Sequence, residues 1–192
     1  MTLGLQRDAV DARGASRPIA FGGPQWRQQT AQVLLPKIDA ATRALLEDEL
    51  AAQSKLDLAA LPQGVIHADL FRDNALFVED RLTGVIDFYY ACNDALVYDL
   101  AVTLNDWCFE ANGTPNAARW HAMVEAYRAR RELRDDERAN WQLVLRAAAL
   151  RFFLSRLYDW TFPREGDVVH VKDPDAYRRI LVWHRDHLPP AL

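Results

Sequence analysis

The sequence predicts an α+β fold that is predominantly helical. Long stretches both before and after residues 64–88 carry apolar residues at helical spacing, and several of them begin with a capping residue. Only residues 64–88 contain short apolar runs of the kind that form strands. The chain has 192 residues, half of them hydrophobic, which is enough to bury the core of one domain, or of one large lobe of a bigger protein, spanning residues 1–192.

The first predicted elements are a loop and two helices. Residues 1–24 are irregular apart from a short helical piece at the start, because "RGASRPIAFGGP" is rich in Gly, Pro and Ser. A helix is predicted over residues 24–35 and ends at Pro36, which cannot continue it. Asp39 then caps a second helix that reaches residue 56.

The β material is concentrated in one hairpin. Residues 75–78 and 82–88 are short apolar runs separated by "EDR", a pattern that predicts two antiparallel strands. A third run, "GVIHADL", precedes them. The expected architecture is therefore a helical body that carries a short β-hairpin.

The remainder of the chain is predicted to be helical. "DALVYDLAVTLNDWCFEA" is strongly apolar and is expected to be a buried helix. Thr114 and Pro115 begin the next helix, and residues 135–160 form a long amphipathic one with acids in its first turn. Asp173 and Pro174 begin the last helix.

The last helix ends with an H-x-x-H pair, His184 and His187. No third ligand lies nearby in the sequence, and a zinc site needs three or four ligands. We therefore predict that both are surface histidines at a helix end.

Composition excludes several classes of protein. A net charge of −4 gives no reason to expect a nucleic-acid partner. No apolar run approaches the length of about 18 residues needed to cross a bilayer, and the start has no secretory signal, so we expect no membrane association. With only two cysteines, Cys92 and Cys108, and no C-x-x-C motif, a reduced, cytoplasmic setting is expected.

Four polar residues surround the predicted hairpin. His67, Asp69 and Asn74 lie in the loop before it, and Asp87 lies at the end of its second strand. Because a hairpin returns the chain to its starting point, Asp87 should come back close to Asn74. Two carboxylates and one amide oxygen suit Mg²⁺, which completes its coordination with water and substrate phosphates.

The same residues have the spacing of a phosphoryl-transfer catalytic loop, H-x-D-x-x-x-x-N followed by D-F. In that pattern Asp69 accepts the proton of the attacking hydroxyl, while Asn74 and Asp87 hold Mg²⁺ on the phosphates of ATP. His67 orients the loop by hydrogen bonding. Arg72, Tyr89, Tyr90 and Asn93 are candidates for binding the acceptor substrate.

The wider sequence resembles the aminoglycoside phosphotransferase family of protein-kinase-like enzymes. Ala follows His67 where protein kinases have Arg, and Tyr follows "DF" where they have Gly. Within the family, "VIHADLFRDNALF", "LTGVIDFYYACNDALVYDLAVTLNDWC" and "LRFFLSRL" resemble the homoserine kinases, as do "KDP" and "HLP" near the end. The resemblance implies a kinase-like C-terminal lobe and ATP-dependent phosphorylation of L-homoserine in threonine biosynthesis. It also implies that Asp99 anchors the catalytic loop.

The resemblance further implies that the N-terminal nucleotide lobe is absent from residues 1–192. "MTLGLQRDA" resembles the helix between the lobes, and the only lysines are Lys37, Lys55 and Lys172, none in a strand-like context. We therefore expect little turnover by the isolated chain. The alternatives are a non-catalytic remnant or binding module, a kinase for choline or an aminoglycoside, and a two-metal phosphohydrolase using His67, Asp69 and Asp87. The sequence does not predict an oligomeric state.

Overall fold

The computed structural model describes residues 22–163, 172–190 and 192. Its helices are α1 (Pro24–Leu34), α2 (Ala40–Gln53), α3 (Leu96–Trp107), α4 (Ala117–Arg128), α5 (Asp135–Thr161) and α6 (Pro174–Asp186). Its strands are β1 (Gln63–Ile66), β2 (Ala75–Val78), β3 (Arg81–Val85) and β4 (Cys92–Ala95). Helices dominate the described residues, so the predicted α+β, predominantly helical class is confirmed.

The N-terminal helices follow their sequence signals. The predicted irregular segment falls almost entirely on residues 1–21, outside the described part of the chain. α1 gives way to a 3-10 turn, Leu35–Lys37, which contains the proline expected to end it. The Asp39 carboxylate accepts hydrogen bonds from the backbone N–H groups of Ala41 and Thr42, so Asp39 caps α2 as predicted.

The four strands form two separate antiparallel pairs. β2 and β3 make the predicted hairpin, with Ala75 opposite Val85. β1 pairs with β4, which places Ile66 opposite Cys92. The β1–β4 pair joins the start of the candidate catalytic loop to the start of α3, so the first residues of the loop are held in place by this pair.

Two predicted boundaries near these strands are wrong. The sequence predicts a strand up to residue 88, but Asp87 adopts a left-handed φ of 62° and a 3-10 turn, Phe88–Tyr90, follows it. The helix predicted from residue 94 begins at Leu96, because the two residues before it pair with β1 as part of β4.

The start of α4 also differs from the prediction. The sequence predicts a helix capped by Thr114, but α4 begins at Ala117 and is capped by the side chain of Asn116. Pro115 instead forms an isolated antiparallel bridge with Phe109. The residues expected to start the helix therefore close the connection after α3.

α5 is the centre of the hydrophobic core. Its 27 residues pack against α1, α3 and α6, and Leu145, Leu150 and Leu154 have no exposed surface. α3 contributes Leu100 and Leu104 from the opposite side. Because α3 and α5 are buried over most of their length, their side chains are held in fixed positions by the surrounding packing. No helix in the described ranges is long and apolar enough to cross a membrane.

The structure corrects the prediction for one of the two C-terminal histidines. His187 is exposed after the end of α6, as expected, but His184 has no exposed surface. Its Nε2 lies 2.8 Å from Oδ1 of Asn105 on α3. The apolar face of α6 turns His184 into the core, which the H-x-x-H spacing alone does not reveal.

Candidate active site

The loop between β1 and β2 is anchored at its start by Asp99. This carboxylate lies in the first turn of α3 and accepts hydrogen bonds from the backbone N–H groups of His67, at 3.2 Å, and Ala68, at 2.7 Å. Ala68 adopts a left-handed φ of 61°, which is uncommon for a residue with a β-carbon. Asp99 thus fixes the backbone turn immediately before Asp69.

The His67 ring connects the loop to the end of the hairpin. Nδ1 of His67 accepts a hydrogen bond from the Asp69 backbone N–H at 3.2 Å. The hydrogen of the neutral ring must then be on Nε2, which donates to the Ile86 carbonyl oxygen at 2.9 Å. The ring is 98% buried and packs 4.8 Å from the ring of Phe88. Both ring nitrogens are used to hold backbone.

Asn74 closes the loop on Asp69. Its side-chain Nδ2 donates to the backbone carbonyl oxygen of Asp69 at 2.8 Å. The backbone carbonyl oxygen of Asn74 accepts from the backbone N–H of Ile86 at 3.0 Å. The second contact brings the residue after Ile86, Asp87, next to Asn74. The structure therefore brings together the three residues that the predicted hairpin is expected to gather: Asp69, Asn74 and Asp87.

The carboxyl group of Asp69 is electrostatically perturbed. Burial raises its pKa to about 6, against the opposing effects of nearby positive charges, the largest of which is that of Arg151. Asp87 also raises this pKa, as expected for a second carboxylate close by. Carboxyl groups with a raised pKa beside a second charge are typical of catalytic acids and bases.

Burial also perturbs Asp99, but its hydrogen bonds differ from those of Asp69. Burial raises its pKa, and its hydrogen bonds from the Ala68 and His67 backbone oppose that effect. Asp99 nevertheless keeps some exposed surface, so it is not fully enclosed in the core. Because its oxygens are occupied by backbone N–H groups, Asp99 is placed to orient rather than to react.

The oxygen atoms left at the end of the hairpin suit a hard cation. Nδ2 of Asn74 is used by the loop, which leaves Oδ1 as its other polar atom, and Asp87 is exposed beside it. Mg²⁺ needs only one or two such ligands when phosphates and water supply the rest. The described residues contain no group of three His, Cys, Asp or Glu placed to bind a metal ion. Since both ring nitrogens of His67 hold backbone, His67 does not suit the two-metal phosphohydrolase alternative.

The four candidates for acceptor binding are distributed differently. Arg72 donates to the Asp106 carboxylate from both its backbone N–H, at 2.9 Å, and its Nε, at 3.1 Å. Tyr89 is 65% exposed and meets Tyr90 edge to face at 5.2 Å. Asn93 is exposed in the middle of β4. Arg72 lies in the 3-10 turn of the loop, and Tyr89 and Tyr90 lie in the 3-10 turn that follows the hairpin. Asn93 belongs instead to the strand pair at the base of the loop.

Two residues that contact the loop were not identified from the sequence. Nε1 of Trp107 donates to the Leu70 carbonyl oxygen at 3.0 Å, and Nη1 of Arg151 donates to the Ala68 carbonyl oxygen. The signal available for Arg151 is its place in "LRFFLSRL", where a charged residue precedes an apolar run in a helix predicted to be amphipathic.

The chain is similar to known phosphotransferases. A family model described as "Phosphotransferase enzyme family" matches residues 2–133. A homoserine kinase from Methylobacillus flagellatus is 49% identical over 159 residues, covering 83% of this chain and 50% of that protein. One from Rhizobium johnstonii is 43% identical over 185 residues, covering 95% and 58%. The chain spans about half the length of the curated relatives that it matches.

A solved structure supports the fold. An ethanolamine kinase from Plasmodium vivax matches with a TM-score of 0.55 and 15% identity, over 88% of this chain and 50% of that one. Identity this low shows the fold alone, and it confirms the predicted kinase-like architecture. Because the family model covers more than half of the sequence, the chain belongs to the phosphotransferase enzyme family.

Proposed function

We propose that this chain forms the acceptor and metal side of an active site that transfers a phosphoryl group from ATP to the hydroxyl of L-homoserine. The observation that carries the proposal is the meeting of Asp69, Asn74 and Asp87 in a loop held by Asp99 and His67. The naming of the similar proteins as homoserine kinases supports the choice of acceptor. The product would enter threonine biosynthesis.

Asp69 is the proposed catalytic base. It takes the proton of the acceptor hydroxyl as that oxygen forms its bond to phosphorus and the bond from phosphorus to the leaving oxygen of ATP breaks. A pKa of about 6 leaves the carboxyl mostly ionised at neutral pH, yet close enough to that pH to accept a proton efficiently. His67 and Asp99 contribute by fixing the backbone that leads into Asp69.

Asn74 and Asp87 are the proposed ligands of Mg²⁺. When bound, the ion neutralises negative charge on the phosphates. The left-handed backbone of Asp87 turns the chain out of β3 at this point, which leaves its side chain exposed next to Asn74. Asp87 also raises the pKa of Asp69, which supports a site in which these oxygen ligands lie close to the Asp69 carboxyl.

The described residues supply little for gripping the nucleotide. The three lysines all lie within them, and none is on a strand. Lys37 ends a 3-10 turn, Lys55 follows α2, and Lys172 pairs with Asp73 at 3.2 Å. We therefore propose that the 192-residue chain alone releases ADP from ATP and homoserine slowly or not at all.

The proposed function can be tested by joining this chain to the part of a relative that it does not match. The part of the Methylobacillus flagellatus homoserine kinase that this chain does not match would be fused to it, in the order of that protein. We expect ADP release that depends on homoserine and Mg²⁺, with much lower rates for choline and for an aminoglycoside. Rapid phosphorylation of one of the other acceptors would contradict the assignment of homoserine.

Two controls interpret this result. The fusion carrying Asp69→Asn separates activity of this lobe from any contamination by host kinases. The isolated chain, assayed in parallel, tests the proposal that it turns over little. Fast homoserine-dependent ADP release by the isolated chain would overturn that second proposal without affecting the first.

A further inference from the structure

Arg151 is a buried charged residue behind the catalytic loop. It lies in α5 with 2% of its surface exposed, and its Nη1 donates to the carbonyl oxygen of Ala68. Burying a guanidinium is unfavourable unless its donors and its charge are compensated. Its hydrogen bond to the backbone of the loop points to a role in the loop.

The Arg151 side chain is held from several sides. Its guanidinium carbon lies 5.2 Å from the ring centroid of Tyr90 and 4.6 Å from that of Phe152. The turn at Gly22, with φ of 99°, packs against its stem so closely that an added β-carbon would be 2.5 Å from Cδ. A side chain confined in this way can act as a fixed donor.

Ala68 is the residue that this donor holds. Its φ of 61° is unfavourable for an L-residue, because the β-carbon crowds the following carbonyl oxygen. Asp99 accepts a hydrogen bond from the Ala68 N–H at 2.7 Å, while Arg151 donates to its carbonyl oxygen. The two peptide groups that flank Ala68 are thus fixed by two charged side chains from two different helices, α3 and α5.

We propose that Arg151 is a positioning residue that keeps Ala68 in its left-handed conformation and thereby aims Asp69. Asp99 fixes the preceding peptide group, and Arg151 fixes the following one, which contains the Asp69 N–H. Without Arg151, Ala68 relaxes towards ordinary backbone angles and the Asp69 side chain turns away. Only the consequence for Asp69 rests on the proposed function; the restraint on Ala68 does not.

Amide hydrogen exchange of the 192-residue chain, followed by NMR, tests the restraint. We expect Arg151→Met to speed exchange of the Ala68 and Asp69 amides about 5- to 30-fold, the range that corresponds to releasing a left-handed alanine. Arg151→Lys, which keeps a donor, should show a smaller increase. Arg156→Met makes the same chemical change five residues later on α5, where Arg156 packs on Tyr177, and should leave both amides unchanged.

A second substitution separates this role from simple packing. Ala68→Gly removes the β-carbon that makes the left-handed conformation unfavourable. If Arg151 acts through that conformation, adding Ala68→Gly to Arg151→Met or Arg151→Lys should return exchange of the Asp69 amide to within about threefold of the Ala68→Gly single variant. A packing defect would not be rescued in this way.

The outcomes decide the proposal independently of catalysis, because the measurement needs neither ATP nor an acceptor. Faster exchange confined to the loop and rescued by Ala68→Gly supports it. Unchanged exchange in folded Arg151→Met, or acceleration that Ala68→Gly does not rescue, overturns it. If Arg151→Met does not fold, the same pair of comparisons is made with Arg151→Lys, and an absence of rescue there has the same meaning.

Discussion

Two buried histidines hold different parts of this protein, and the difference lies in what surrounds them. Both ring nitrogens of His67 bond to backbone, at the Asp69 N–H and the Ile86 carbonyl. His184 uses Nε2 on Asn105, while its Nδ1 has no hydrogen-bond partner among the described residues. The first histidine organises a loop whose polar ends face solvent, and the second fills a closed aromatic cage.

The cage around His184 explains its electrostatics. The rings of Phe109, Trp120 and Trp183 lie 5.2–6.2 Å from the His184 ring centroid. Burial lowers the pKa of His184 to about 3, and the positive charge of Arg146 acts in the same direction. His184 is therefore a neutral core residue, whereas the polar network of His67 ends on groups that are open to a substrate.

If this contrast is correct, the largest effect on activity comes from Asp69, whose backbone N–H bonds to His67. Asp69→Asn keeps the size of the side chain but cannot accept the proton of the acceptor hydroxyl. We expect kcat of the fusion protein to fall about 10²- to 10⁴-fold, the usual contribution of a positioned acid or base. Steady-state assays of homoserine-dependent ADP release measure it.

Asp73→Asn is the matched control for this change. Asp73 lies four residues later, is exposed, and pairs with Lys172 in an exposed ion pair of the kind that contributes little. We expect its kcat to stay within about threefold of wild type, since it contacts no reacting group in the proposed mechanism. Comparable losses for both variants would remove the proposed distinction between them.

The next largest effect compares the anchors of the two histidine regions. Asp99→Ala leaves the His67 and Ala68 N–H groups without an acceptor, and Asn105→Ala leaves His184 without its partner. Each should lower the free energy of unfolding by about 1–3 kcal/mol, the cost of an unsatisfied buried polar group. Urea denaturation of the isolated chain measures this.

Only the first of these substitutions should affect turnover strongly. Asp99→Ala misplaces Asp69, and misplacement by about 1 Å can reduce catalysis about 100-fold. Asn105→Ala should leave kcat of the folded fusion protein within about threefold, because its partner lies in the core. An equal loss of kcat in the two variants would show that stability, rather than loop geometry, determines activity.

The third effect is the contribution of His184 to the pH dependence of stability. Its folded pKa of about 3 is below the unfolded value of 6.5, so below about pH 6.5 the unfolded chain binds a proton that the folded chain does not. The contribution of His184 to the free energy of unfolding therefore decreases as the pH is lowered through that window, by about 1.4 kcal/mol per pH unit. Between pH 7 and pH 5 the decrease is about 2 kcal/mol. His184→Gln should remove this part of the slope in denaturation measured at both pH values. His187→Gln should retain it, because His187 is exposed.

The sequence predicts the loop better than the core because of distance along the chain. The residues from His67 to Asp87 form one continuous stretch, and a hairpin constrains where its ends meet. The partner of His184 is 79 positions away, and the contact of Arg151 with the loop spans 83. Neither contact leaves a local pattern, since each depends on how α3, α5 and α6 pack.

The strands show the same limit. The hairpin carries its own apolar runs and is predicted from them, whereas "CNDA" becomes β4 only because β1 lies beside it. Capping by Asp39 and Asp173 is local and is correctly predicted, but Thr114 is overridden by the bridge that Pro115 makes with Phe109. The roles of Asp69, Asn74 and Asp87 in catalysis stay predictions until the kinetic tests are made.

The smallest expected effect concerns the tip of the catalytic loop, where two ion pairs can be compared. Arg72 pairs with Asp106 and Lys172 pairs with Asp73, and the two basic side chains are 57% and 56% exposed. Because exposed pairs contribute about 0–1 kcal/mol, Arg72→Ala and Lys172→Ala should each change the free energy of unfolding by less than about 1 kcal/mol.

The kinetics of the two variants should differ if Arg72 contacts the acceptor carboxylate. Arg72→Ala would then raise the KM for homoserine about tenfold, consistent with losing a charged hydrogen bond of about 1.5 kcal/mol, while Lys172→Ala would leave it unchanged. Equal KM values in the two variants would remove Arg72 from the acceptor site and leave the ion pair with Asp106 as its only contribution to the loop.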